Sequence, residues 1–238
     1  MYNKLFPSVK LTISDIISSW AGLRPLIHED GKSPSELSRK DEIFYAESGL
    51  ISIAGGKLTG FRKMAERVVN VVIKQLYIET DRPVDYCVTD TIKIGGGNFK
   101  KTEDVQEFIW DLSEEYAPLT ISKTQLENLV YKYGRYTTDI LDFFEKETSN
   151  KLSITERLLK AELQYAVKNE MVHTLSDFTI RRTGRLYFER PQLDNIVFFL
   201  LDELADILAL TKQEKLKQYS EFEKEYKAVL QFKQTANS

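Results

Sequence analysis

The spacing of apolar residues changes from a strand pattern to a helix pattern within the first third of the chain. Apolar residues predominate in EIFY (42–45) and LISIA (50–54), on either side of the turn sequence AESG, which is typical of a β-hairpin. Residues 20–27 predict a further strand, interrupted at Pro25. After the two glycines that follow the hairpin, helical spacing predicts a helix that lies on a sheet. Its apolar positions are Phe61, Met64, Ala65, Val68, Val69, Val72 and Leu76.

The second half of the chain shows helical spacing. Ser153–Glu156 and Thr211–Glu214 are capping-box sequences, in which the hydroxyl accepts from an early backbone N–H and the glutamate reaches back. Pro191 suits the first turn of a helix. Two apolar stripes follow and predict helices of a bundle-like domain. They comprise Leu193, Ile196, Val197, Leu200, Leu201, Leu204 and Leu208, then Leu216, Tyr219, Phe222, Tyr226 and Leu230.

Between these halves, residues 79–98 have no helical period. They contain Pro83 and the run Gly95–Gly97, which lacks both the GxGxxG spacing and the following amphipathic helix of a phosphate loop. We therefore predict an α+β chain in three parts. A small β-rich lobe with one helix occupies 1–78, a linker occupies 79–98, and an all-α domain occupies 99–238.

Composition narrows the class of protein. Hydrophobic residues make up 42% of the chain and charged residues 29%, as in a globular protein that buries a core. The net charge of −3 gives no general basic field for nucleic acid. Cys87 is the one cysteine, so an internal disulfide is excluded and a reducing cytoplasm is favoured. With His28 and His173 it predicts no metal site, and neither histidine suits a Ser-His-Asp triad. No stretch reaches the roughly 18–20 apolar residues of a membrane span.

The stretch Gly55–Thr59 is the first candidate for chemistry. Glycines let a ligand approach the backbone closely, and the N–H groups at a helix N-terminus favour an anion or a polarised carbonyl. Lys57 adds a full positive charge there. The structural alternative is a tight strand-to-helix turn with a solvated lysine.

Two arginines upstream are further candidates. Pro25 restricts Arg24 to extended geometry, which gives its side chain a fixed direction. The planar guanidinium suits a phosphate or a carboxylate, although a surface arginine of a strand is the alternative. Arg39 precedes a predicted strand and matters if it converges with Arg24 and Lys57. Each charged hydrogen bond would contribute about 1.5–3 kcal/mol.

A basic cluster lies in the helical half. It could contact nucleic acid, but ion pairs to Glu170 or to the first lobe are favoured because the domain carries enough acid to balance the cluster. His173 is predicted to be a partly buried polar residue. The cluster comprises Arg181, Arg182, Arg185 and Arg190.

Four segments together resemble the bacterial FAD-dependent glycerol-3-phosphate dehydrogenases, in order along almost the whole chain. The resemblance covers only the C-terminal part of that family. The Rossmann GxGxxG, its acidic ribose ligand and the segment with the family's active-site histidine have no counterpart here. The resemblance therefore implies a C-terminal fragment: the tail of the FAD and substrate domain, then a helical cap. The segments are SWAGLRPLI, SPSELSRKDEIF, GLISIAGGKLTGFRKMAERVV and DFTIRRTGRLYFERPQLD.

The resemblance also implies ligands and roles. The parent enzyme would use FAD to oxidise sn-glycerol 3-phosphate to dihydroxyacetone phosphate and pass electrons to a quinone. Arg24 would be catalytic and would grip the substrate with Arg39 and Lys57. Backbone N–H groups of Lys57–Thr59 would stabilise negative charge near the pyrimidine edge of the flavin, which carries the redox chemistry. The implied cofactor-binding residues are Gly55, Gly56, Lys57, Leu58 and Thr59, and no metal is implied.

Several alternatives stay open at this point. Related glycerophosphate oxidases, which use oxygen, carry a long insertion where this chain has only HEDGK between Ile27 and Ser33, so the dehydrogenase is favoured. The chain alone is expected to be cytoplasmic and inactive without the N-terminal FAD domain, and its parent peripheral to the cytoplasmic membrane. Homodimerisation through open strand edges and a non-catalytic helical binding module are the other hypotheses.

Overall fold

The computed structural model describes residues 2–23, 27, 31, 41–149 and 151–231, and it divides into two units. One unit is Ala21–Ile92, and the other joins Met1–Trp20 to Lys93–Ser238. The predicted α+β class, with a small β lobe and a helical C-terminal part, is confirmed. The strands are β1 (Asp41–Tyr45) and β2 (Ile51–Gly55); the helices are α1 (Tyr2–Leu5), α2 (Phe61–Thr80), α3 (Thr102–Glu115), α4 (Lys123–Tyr133), α5 (Thr137–Lys146), α6 (Ile154–Asn169), α7 (Arg185–Phe188), α8 (Arg190–Ile207) and α9 (Lys212–Ala228).

The smaller unit is built on the predicted hairpin. Strands β1 and β2 pair antiparallel, with Ile43 opposite Ile53. The backbone N–H of Ala46 donates to the Leu50 carbonyl at 3.0 Å and closes the turn. The strand predicted for 20–27 is not formed in its described part, residues 20–23 and 27. A strand needs a neighbour to pair with, and the sheet of the described residues contains β1 and β2 only.

Helix α2 packs against β2 with part of its predicted apolar face. Met64, Val68 and Val72 are half-buried, whereas Phe61 and Leu76 are exposed. No hydrophobic side chain among the described residues of Ala21–Ile92 is fully buried. The hairpin and α2 therefore cover one another only in part.

The helical unit has two hydrophobic clusters that share α6. Leu158 and Ala161 of α6 pack with α3, α4 and α5, and Leu163 and Ala166 pack with α8 and α9. The predicted stripe on α8 is confirmed, since its Leu and Val positions are buried or half-buried. On α9, the prediction for Leu216 is wrong, because that side chain is 70% exposed. At 3.6 residues per turn, Leu216 lies about 120° around the helix from the buried position six residues later.

The predicted helix starts are confirmed by their hydrogen bonds. Backbone N–H of Glu156 donates to Ser153 Oγ at 3.3 Å, and Ser153 N–H donates to the Glu156 carboxylate at 2.8 Å. Thr211 and Glu214 repeat this reciprocal pair at the start of α9. Pro191 lies in the first turn of α8. Each box satisfies backbone donors that the helix itself leaves unpaired.

The structure differs from the predicted linker at 79–98. Helix α2 continues to Thr80, and the units divide after Ile92. Gly96 is buried against the end of α4, where its carbonyl accepts from Arg135 N–H at 2.8 Å. The triple glycine is therefore a packing contact of the helical unit, because only a residue without a side chain fits so close to another backbone.

The first residues of the chain also differ from the predicted 1–78 domain. Residues 2–20 group with the helical unit. The reason is that Ser19 N–H donates to the Val229 carbonyl at 2.8 Å and that the Trp20 ring lies against the ring of Tyr187. Pattern alone gave no signal for contacts so distant along the chain.

Candidate cofactor and substrate site

The turn after β2 requires both of its glycines. Gly55 and Gly56 each have a φ of +79°, in the left-handed region that favours glycine. A Cβ on Gly56 would lie 2.6 Å from Met64 Sδ and 3.4 Å from Asp41 Cβ. The glycines thus let the chain turn directly beneath α2, while Lys57 resumes an extended conformation.

The residues after the glycines present backbone donors at the start of α2. Leu58–Gly60 forms a 3₁₀ turn, in which Gly60 N–H donates to the Lys57 carbonyl at 2.8 Å. No side chain caps α2 at Gly60. The Phe61 N–H donates to the Leu58 carbonyl, and the start of the helix carries partial positive charge. Lys57, Leu58 and Thr59 are exposed, so this turn can offer N–H groups and an ammonium to an anion.

The other cations near this turn are engaged within their own unit. Lys63 Nζ lies 2.8 Å from the Glu66 carboxylate, and Arg62 lies 3.2 Å from it. The hydrogen bond from Lys63 holds the pKa of Glu66 below its ordinary value, against a smaller desolvation effect. Arg67 pairs with Asp41 of β1. Lys57 has no ion pair to another described residue.

Some of the predicted site residues lie among the described residues and others do not. Gly55, Gly56, Lys57, Leu58 and Thr59 form one continuous turn, as the sequence suggests. Arg24 and Arg39 lie outside the described residues, so their convergence with Lys57 stays a prediction. Within the described residues, no group of three His, Cys, Asp or Glu side chains is arranged to hold a metal ion.

A buried charge cluster in the helical unit was not predicted. The Glu162 side chain is 3% exposed and lies 2.5 Å from Arg185 and 3.2 Å from Lys132. Tyr133 donates its hydroxyl to the same carboxylate at 2.8 Å. Burial alone would raise the pKa of Glu162, but the Arg185 and Lys132 charges outweigh it and the pKa lies below its ordinary value. The signal in the sequence was a glutamate at helical spacing from the apolar residues Leu158, Leu159 and Ala166.

The other arginines of the basic cluster also have partners within the helical unit. Arg181 lies 3.0 Å from Asp177. Arg182 reaches Glu170 as predicted, but its Nε donates to the backbone carbonyl at 2.6 Å. Arg190 donates to the Tyr226 hydroxyl at 2.9 Å. His173 is exposed, so the prediction of partial burial is wrong; its position before the helical turn at Asp177 leaves the ring outside the core.

Over the part of the chain that the structure describes, the helices lack the length and apolar content that crossing a bilayer requires.

Comparison with solved structures gives a match to a glycerol-3-phosphate dehydrogenase from Bacillus halodurans complexed with FAD. The TM-score is 0.81 at 36% identity, over 98% of this chain and 45% of that one.

Curated relatives give the same family. An aerobic glycerol-3-phosphate dehydrogenase of Bacillus subtilis is 42% identical over 204 residues, 83% of this chain and 37% of the relative. One from Staphylococcus saprophyticus is 38% identical over 239 residues, 99% of this chain and 41% of the relative. The chain spans about two fifths of the length of these relatives. The family model described as the C-terminal domain of alpha-glycerophosphate oxidase matches residues 87–215, more than half of the chain, and the chain therefore belongs to that family.

Proposed function

We propose that this chain is the C-terminal part of an FAD-dependent enzyme that oxidises sn-glycerol 3-phosphate to dihydroxyacetone phosphate. The observation that carries the proposal is the match of 98% of the chain to the FAD-complexed enzyme of Bacillus halodurans. Because 98% coverage extends over both units of the chain, the match supports a role in the enzyme's own site.

The residues of the turn fit a flavin contact. Gly55 and Gly56 remove side chains from the approach, and the turn that leads into α2 exposes Lys57, Leu58 and Thr59. Lys57, Leu58 and Thr59 would hold the polar edge of the ring through their backbone. When bound, the flavin supplies the acceptor for the hydride that leaves C2 of the substrate.

The substrate would be held by charge. Arg24 and Arg39 would grip the phosphate and neighbouring oxygens through their planar guanidinium groups, and Lys57 would border both ligands. These groups orient the reacting carbon and do not themselves carry electrons. Arg24 has the catalytic role in this proposal because it would fix C2 relative to its acceptor.

The N-terminal FAD domain is the proposed partner of the smaller unit. The described residues of the smaller unit bury no hydrophobic side chain fully. Four of their apolar side chains are between 44% and 59% exposed: Phe44, Phe61, Val69 and Tyr77. Exposed apolar surface of this kind marks an interaction site. We propose that the chain alone is inactive because most of the FAD contacts belong to that partner.

The electron acceptor separates two candidate functions. The relatives are named dehydrogenases, and the short HEDGK connection supports transfer to a quinone at the cytoplasmic membrane. The description of the matching family model names an oxidase, which supports oxygen as the second candidate. A completed enzyme, made by fusing the first part of the Bacillus subtilis relative to this chain, distinguishes them. Glycerol-3-phosphate-dependent reduction of a quinone analogue without peroxide formation supports the dehydrogenase.

In the same fused enzyme, Arg24→Ala and Arg39→Ala are each expected to lower kcat/KM for glycerol 3-phosphate by at least about tenfold, because each removes charged hydrogen bonds. Arg82→Ala is the matched control, since Arg82 is an exposed arginine of the same unit. Steady-state kinetics at equal FAD content measure the effect. Unchanged kcat/KM in both site variants would remove these arginines from the substrate site.

A further inference from the structure

A groove of about 560 Å³ opens on the helical unit between α4, α6 and α8. Helix α6 forms its base, because α6 belongs to both hydrophobic clusters, with α4 in the first and α8 in the second. The volume is within the range of about 300–1,000 Å³ that is typical of small-molecule sites. The apolar part of the lining consists of Leu129, Leu158, Leu159 and Ile196.

Four charged side chains of alternating sign also line this groove. Lys132 Nζ lies 3.2 Å from one carboxylate oxygen of Glu162, and Arg185 lies 2.5 Å from the other. Arg185 also lies 2.5 Å from Glu189. The outer members of the series are more exposed than the inner ones, since the side chains of Lys132 and Glu189 are 28% and 40% exposed. The series therefore ends in an ammonium on α4 and a carboxylate at the start of α8.

The two outer groups keep hydrogen-bonding capacity that the protein does not use. An ammonium has three N–H donors, and that of Lys132 gives one of them to Glu162. The Glu189 carboxylate accepts from Arg185 through one oxygen, and its other oxygen has no hydrogen bond to a described residue. The four charges cancel, so the groove favours neither a net anion nor a net cation. A ligand that carries one charge of each sign would match both outer groups.

Two amide side chains line the same groove and are exposed: Asn128 of α4 and Gln192 of α8. Neither side chain forms a hydrogen bond with another described residue. An amide side chain carries both donors and an acceptor, so it can pair with a peptide group. Together with the apolar lining, these amides suit a ligand that has a peptide group and aliphatic side chains.

We propose that this groove binds a short zwitterionic peptide, such as a dipeptide, with aliphatic side chains. Its carboxylate would meet Lys132 and its ammonium would meet Glu189, through charge-assisted hydrogen bonds. Its peptide group would pair with Asn128 and Gln192, and its side chains would contact the apolar lining. The site lies wholly within the helical unit, and it gives that unit a binding role that the proposed redox reaction does not require.

The dipeptide leucylleucine is the probe, and isothermal titration of the unmodified chain measures its binding. We expect saturable binding with a Kd of about 1 mM or lower. N-acetyl-leucylleucine lacks the ammonium and leucylleucine amide lacks the carboxylate. Each should bind at least about tenfold more weakly, because each loses a charged hydrogen bond. Free leucine should also bind at least about tenfold more weakly, because it lacks the peptide group and one aliphatic side chain.

Substitutions assign each end of the ligand. Lys132→Gln should weaken leucylleucine binding about tenfold and leave leucylleucine amide binding unchanged, and Glu189→Gln should act in the same way towards N-acetyl-leucylleucine. The matched controls are Lys123→Gln, at an exposed lysine of α4, and Glu223→Gln, at a glutamate of α9 whose side chain is 42% exposed. Gln192→Ala breaks no ion pair or side-chain hydrogen bond among the described residues, so it leaves the fold intact and should weaken binding about threefold or more.

Absence of saturable leucylleucine binding at up to about 10 mM would overturn the proposal. Equal affinities for the free and the end-blocked dipeptides would overturn it too, since the outer charges would then not recognise the ligand. Equal affinities for leucylleucine and leucine would contradict a peptide site. Control variants that lose as much affinity as Lys132→Gln and Glu189→Gln would place the ligand outside this groove.

Discussion

Arg185→Ala is expected to destabilise the chain by about 3–5 kcal/mol, because removing one partner of a buried ion pair leaves a poorly compensated charge inside the protein. Glu162 would keep Lys132 and the Tyr133 hydroxyl, which approach one carboxylate oxygen, while the oxygen that faces Arg185 would lose its partner. Urea unfolding of the chain measures the free energy of unfolding. The matched control is Arg181→Ala, whose half-exposed pair with Asp177 should contribute about 1 kcal/mol or less.

The dependence of the free energy of unfolding on pH provides an independent check on the cluster around Glu162. The pKa of Glu162 is lower in the folded chain than its ordinary value. Its ionised form therefore stabilises the fold above the ordinary carboxyl pKa, and this contribution is lost as the pH falls through the lowered value. In Glu162→Gln, the free energy of unfolding should therefore fall less steeply as the pH is lowered into the acid range. Two results together would show that the cluster is not buried in solution. Arg185→Ala and Arg181→Ala would lower the free energy of unfolding equally, and Glu162→Gln would leave its fall at acid pH unchanged.

Gly96→Ala is expected to destabilise the helical unit by about 2–5 kcal/mol, combining left-handed strain with steric overlap. Gly96 has a φ of +53°, and a Cβ there would lie 1.9 Å from the Tyr133 carbonyl oxygen. The clash is with backbone, which cannot rotate away as a side chain can. Thermal unfolding of the chain measures the effect.

Gly95→Ala is a matched control within the same triple glycine. Gly95 also has a positive φ, of +34°, but the nearest atom to its Cβ position is a ring carbon of Tyr136 at 3.8 Å. Gly95→Ala should lower the free energy of unfolding only by the conformational cost of replacing the glycine, about 1 kcal/mol. A loss in Gly96→Ala no larger than that in Gly95→Ala would mean that the close approach of Gly96 to Tyr133 does not hold the unit together.

The parts of the fold that sequence predicts are those fixed by neighbours along the chain. The hairpin, the capping boxes at Ser153 and Thr211, and the stripe on α8 depend on residues a few positions apart. Their geometry follows from strand and helix periods, so the pattern was sufficient. The turn at Gly55 belongs to the same class, since it joins a strand directly to a helix.

What the sequence could not predict depends on pairs far apart along the chain. Gly96 reads as a linker residue until the end of α4 is placed against it. Trp20 reads as part of a strand until its contact with Tyr187 is known. The position of Glu162 could be noticed in the sequence, because a carboxylate on the apolar face of a helix needs a buried partner. Its partner, Arg185, lies beyond α6 and could not be chosen among the nearby arginines without the fold.

Anaerobic addition of glycerol 3-phosphate to the fused enzyme tests most directly whether this chain completes the proposed enzyme. If this chain completes an FAD-dependent glycerol-3-phosphate dehydrogenase, the visible flavin absorbance bleaches on addition of substrate. Lys57→Ala, at the turn proposed to face both ligands, should slow that bleaching by about tenfold or more. A fused enzyme that binds FAD stoichiometrically yet keeps its flavin oxidised with saturating glycerol 3-phosphate would contradict the proposed function.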